Sequence, residues 1–112
     1  MSKFDECMED YRGSLNQMGV SFNDETLAAV AKSLGPSIYN ADSATVAASD
    51  KEELARVKNN FLIGKLGLAD GANLDAAIAE VVDQFGSSNR NKYRAVFYYL
   101  LADKFGKLGN YA

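Results

Sequence analysis

Histidine does not occur among these 112 residues, and its absence removes more chemistry than any other feature of the sequence. Without imidazole there is no Ser-His-Asp or Cys-His catalysis, no histidine zinc ligand and no ordinary side-chain switch near neutral pH. The single cysteine, Cys7, excludes an intrachain disulfide and leaves too few ligands for a standard structural zinc site. There is one proline, so long regular elements are free to run. The longest unbroken apolar stretch ends at Ala102 and falls far short of the ~20 residues of a membrane-spanning helix. Acidic Asp5 and Glu6 stand where a signal peptide needs its apolar run, and Ser2 stands where myristoylation needs glycine. The expected location is the cytoplasm.

What is present is helical in period almost throughout. The length suits one domain, 1–112, and the 47% apolar fraction is enough for one core. Phe4, Met8, Tyr11, Leu15 and Met18 recur every three or four residues and predict a first helix within 1–20, ended by Gly19. Asn23 caps a second helix, with Asp24 and Glu25 suiting its positive start and Gly35 its stop. Pro36 to Asn40 reads as a short helical turn and residues 40–49 as a short helix or ordered loop.

Ser49 and Glu52 have the spacing of a capping box ahead of Leu54, Val57, Phe61, Leu62 and Leu66, with Gly67 as the C-cap. Asn73 is the expected cap of a fourth helix (Leu74, Ala77, Ile78, Val81, Val82, Phe85) that stops at Gly86. Ser87 or Ser88 is the expected cap of the last, in which Tyr93, Val96, Phe97, Leu100, Leu101 and Phe105 align. Tyr98 and Tyr99 make that helix apolar on most of its circumference, which places it at the centre of the fold. Residues 107–112 read as a tail. The expectation is all-α: a single compact domain of about five helices with one or two short extra turns.

Several strings in this order resemble a known family: Leu34-Gly35-Pro36-Ser37-Ile38-Tyr39-Asn40, Ser49-Asp50-Lys51 with Leu54, Lys65-Leu66-Gly67-Leu68, and Phe97-Tyr98-Tyr99-Leu100-Leu101-Ala102 with Lys104-Phe105. The chain is similar over about Asp24–Ala112 to a small bacterial family catalogued as domain of unknown function 2853. The resemblance implies a bacterial helical protein and carries no activity, cofactor or functional residue with it.

Motifs that invite chemistry dissolve on inspection. Gly64-Lys65 is followed by Leu66 and lacks the earlier glycine of a phosphate loop. Asp70–Asp75 places Ala and Leu where calcium needs oxygens. Asp5, Glu6, Glu9 and Asp10 form an acidic cluster that reads as the solvated side of an exposed helix, and they disfavour a thiolate at Cys7.

Charge separates the remaining hypotheses. Residues 1–56 hold five basic and ten acidic side chains, net −5; residues 57–112 hold seven and five, net +2. Arg90, Lys92 and Arg94 open the last helical segment with donors that suit phosphates, and a brief Gly86-Ser87-Ser88 connection would allow a helix-turn-helix. The acidic chain as a whole opposes long-range attraction to nucleic acid. The leading expectation is therefore a non-enzymatic interaction or structural module that self-associates or meets a protein partner, with Tyr98 or Tyr99 turned partly outward as the contact. The alternative is a nucleic-acid-associated regulator using Arg90, Lys92 and Arg94. An enzyme would need a pocket around a group such as Lys58, Lys65 or Tyr39 with a strongly shifted pKa. No cofactor or metal is expected.

Overall fold

The first helix begins on a reciprocal cap. In the computed structural model, which describes residues 2–40, 43–86, 89 and 91–111, the Ser2 hydroxyl accepts from the Asp5 amide at 3.1 Å and the Ser2 amide donates back to Asp5 at 3.4 Å. Two of the four orphan donors of the helix start are thereby satisfied, and Asp5 has a local use. Helix α1 spans Lys3–Gln17 and buries Met8, Tyr11 and Leu15. Helix α2, Asp24–Ser33, is capped by the Asn23 side chain, which accepts from the Thr26 amide at 3.0 Å, and buries Leu27, Val30 and Ala31. A 3-10 turn, Gly35–Tyr39, follows with Pro36 in its first positions and Ile38 buried.

Helix α3 is short, Lys51–Arg56, and continues directly into a π-helical segment, Val57–Ile63. Its cap is Asp50, one residue later than the capping-box spacing suggests: the Asp50 carboxylate accepts from the Glu52 amide at 3.0 Å. Helix α4, Ala72–Phe85, starts behind Gly71 and not at Asn73, which sits inside its first turn. Gly67 and Gly86, at φ +72 and +90, take the left-handed conformations that end these two elements.

Helix α5, Arg94–Lys104, buries eight consecutive residues, Ala95 to Ala102. Helices α1, α2 and α4, the π segment and a final 3-10 turn, Leu108–Asn110, all pack on it. The C-terminal helix is thus central, as its all-round apolar pattern requires. It begins at Arg94, beyond Ser87 and Ser88, which lie outside the described residues. The segment after it is not a free tail, because Leu108 and Tyr111 pack against the core. Among the described residues the nearest thing to a strand is a single antiparallel bridge, Thr45 to Tyr93. It makes 43–46 an ordered loop tied to the entry of α5 through Val46 N to Lys92 O and Arg94 N to Ala44 O, both 2.8 Å.

The π segment is fixed by its own backbone bonds: Gly64 N to Asn59 O at 3.0 Å and Leu66 N to Phe61 O at 2.9 Å each reach back five residues. A Cβ on Gly64 would stand 2.8 Å from the Asn60 carbonyl oxygen and 3.2 Å from that of Asn59. Those are main-chain atoms and cannot swing aside. In a regular helix Gly→Ala stabilises by about 0.5–1 kcal/mol; here Gly64→Ala is expected to lower the unfolding free energy instead, measured by urea denaturation. A stabilised variant would show that the widened turn is not required.

Candidate functional site

The polar centre of the molecule is Arg94, at the first turn of α5, where the side chain turns inward. Its Nε donates to the Ser43 carbonyl at 2.7 Å, Nη1 to the Tyr98 hydroxyl at 3.0 Å, and Nη2 to the Thr45 carbonyl at 3.3 Å and to the Glu53 carboxylate. Glu53 is 8% exposed and also receives Arg56 Nη2 at 2.8 Å. Burial alone would raise the Glu53 pKa, but the hydrogen bonds from Arg94 and Arg56 outweigh it and hold the carboxyl below its ordinary value of 4.5. Burial alone would lower the Arg94 pKa, but its hydrogen bonds to Glu53 and Tyr98 hold it above the ordinary value. One side chain thus fastens α3, the 43–46 loop and α5 together.

This placement answers the expectations for the basic segment. Lys92 is 5% exposed and lies before the helix, its ammonium donating to the Asn89 carbonyl. Arg94 is committed to four partners inside the fold. Arg90 lies outside the described residues. The eight residues from 86 to 93 that join α4 to α5 are too many for the brief turn a helix-turn-helix needs. Of the three cations proposed to meet phosphates, two are occupied internally.

Tyr98 and Tyr99, one of them expected to turn partly outward, are both inside. Tyr98 is 8% exposed and stacks on Phe61, ring centroids 4.0 Å apart and 15° between planes. Tyr99 is 3% exposed and its hydroxyl accepts the Asn23 amide at 3.0 Å, closing the start of α2. Periodicity places one of them away from the main apolar stripe; it cannot see that α2 covers Tyr99 and the π segment covers Tyr98. The large apolar side chain left exposed among the described residues is Tyr39, at 47%, the last residue of the 3-10 turn that contains Pro36.

Other ionisable groups are tied down. Lys58 bridges Asp70 at 3.0 Å and Asp75 at 3.2 Å, and those carboxylates push its pKa up, away from the range of a free-amine nucleophile or base. Tyr11 is raised above its ordinary value by burial first and then by neighbouring Cys7. No group of three or more acidic or thiol side chains is arranged to hold a metal ion among the described residues, and none of their helices is long and apolar enough to cross a membrane.

Comparison with protein families matches residues 10–109 to the family described as Protein of unknown function (DUF2853), and the chain belongs to that family. A search of curated proteins found no match.

Because the folded Glu53 holds its proton less tightly than the unfolded one, its contribution to stability is complete above about pH 5 and is lost as pH falls through its lower folded value. Glu53→Gln is expected to flatten that acid limb of the stability curve. Arg94→Met, which leaves Glu53 with Arg56 as its one remaining cation and the Ser43 and Thr45 carbonyls without their guanidinium donor, should cost about 3 kcal/mol at neutral pH. Denaturant titrations between pH 3 and 7 check both; an unchanged acid limb in Glu53→Gln would remove the pair from this role.

Proposed function

We propose that this member of DUF2853 is a non-catalytic helical interaction module of the bacterial cytoplasm that self-associates, with Tyr39 in the contact. The observation that carries the reading is the exposure of Tyr39 on a short turn whose neighbour Ile38 is 5% exposed and whose start is fixed by Pro36. A tyrosine already held by its backbone loses little freedom on contact, and tyrosine is enriched at interface cores. The net −5 of residues 1–56 against the +2 of residues 57–112 favours a second copy as the partner, since each copy offers both signs. A lone cysteine fits a reducing compartment.

Light scattering at ~100 µM protein is expected to give a mass above that of the 12.1 kDa chain at low salt and a shift toward monomer as salt screens the attraction. Tyr39→Ser should move the equilibrium to monomer without lowering the melting temperature measured at high salt, where the unsubstituted chain is monomeric too. A monomer at every salt concentration, or a mass indifferent to Tyr39→Ser, would refute the contact.

A further inference from the structure

A small cleft opens beside the π segment, between the end of α2, the Tyr98 side of α5 and the final turn. Ser33, Leu34, Asn60, Phe61, Lys65, Tyr98 and Tyr111 line it, and its volume is about 180 Å³. Its apolar wall includes the Phe61–Tyr98 stack. Its polar groups are mostly donors with capacity to spare. Lys65 is exposed and makes no ion pair among the described residues. The Tyr98 hydroxyl accepts from Arg94 and keeps its own proton to give. The Tyr111 hydroxyl is buried without a hydrogen-bond partner. The Ser33 hydroxyl lies beside it and gives its own proton to the Val30 carbonyl at 2.6 Å.

A buried phenol without a partner is costly unless something else supplies the acceptor. Here it borders a cleft that also holds the Lys65 ammonium and is lined in part by the Phe61–Tyr98 stack. We propose that this cleft is a binding site for a small planar carboxylate, whose ring or conjugated body lies along Phe61 and Tyr98 while its oxygens accept from Lys65 and the Tyr111 hydroxyl. The volume lies below the ~300–1,000 Å³ of drug-sized sites, so the occupant is of benzoate size. A singly charged carboxylate matches one ammonium and phenolic donors; a phosphate's second charge would meet no second cation among the lining residues. The π segment contributes two of the lining residues, in keeping with the frequent occurrence of such widened turns at functional sites. The site is independent of self-association through Tyr39.

The test is a titration of the intact ¹⁵N-labelled chain with sodium benzoate, followed by amide chemical shifts, with acetate and benzyl alcohol as parallel probes. Saturable shifts confined to the neighbourhood of residues 33–34, 60–65, 98 and 111 are expected with benzoate, and much weaker ones with either control. Lys65→Met, which keeps the stem and removes the charge, should weaken benzoate about tenfold or more. Tyr111→Phe should weaken it several-fold while leaving the melting temperature of the free protein unchanged or higher, as removal of an unpartnered hydroxyl predicts; a purely structural hydroxyl would lower it. The proposal is overturned if benzoate gives no saturable shift at tens of millimolar, if acetate or benzyl alcohol matches it, or if neither substitution weakens it.

Discussion

Burial of Ala95–Ala102 over a full run of eight residues dictates the arrangement of everything around it. A helix with no solvent face needs apolar partners on every side, and α1, α2, α4, the π segment and the last 3-10 turn supply them. Phe97 and Phe85 stack at 5.9 Å, Tyr98 meets Phe61 at 4.0 Å, and Tyr11 reaches Tyr93 edge-on at 5.4 Å. Each of these elements is held by its contact with the rod, and the π segment also packs on α4.

Such a rod has a polar problem at its start, where the first turn of a helix leaves amides without partners and where a basic residue opposes the helix dipole. Arg94 and the loop ahead of it resolve this together. The backbone of Arg94 donates to Ala44, its guanidinium takes the carbonyls of Ser43 and Thr45, and Glu53 supplies the countercharge. The Tyr99 hydroxyl performs the matching service for α2 at Asn23. The hydroxyls and charges of α5 thus act inside the fold, which is why the residues that looked most like an outward-facing contact or a nucleic-acid surface are poor candidates for either.

What could be read from the sequence was whatever depends on local chemistry. The apolar stripes, the Asn23 cap, the glycine stops and the central position of the last helix all follow from period and composition. Three kinds of feature did not. Caps slipped by one or two residues where neighbouring groups compete, as with Asp50 against Ser49. The long-range pairing of Arg94 with Glu53, 41 residues apart, carries no local mark, so a structural arginine read as a free one. The exposure of Tyr39 and the burial of Tyr98 and Tyr99 depend on which helices cover which edge, and periodicity gives a face without naming its neighbour.

The π segment follows from two contacts that α3 and its continuation must make at once. Arg94 and Tyr98 are four apart and lie on one face of α5, bonded to each other. The facing element must bring Glu53 to the first and Phe61 to the second. In a regular α-helix eight residues turn roughly 80° past two full turns, so Phe61 would be carried off the side that Glu53 occupies. A segment with five-residue hydrogen-bond spacing turns less per residue and takes up that surplus, which returns Phe61 to the Tyr98 ring. Gly64 at its end is then required by the same geometry, since the widened turn brings the Asn60 carbonyl within 2.8 Å of where a side chain would begin. The ion pair, the ring stack and the glycine are one constraint expressed at three positions, and the cleft beside Asn60 and Phe61 is a by-product of meeting it.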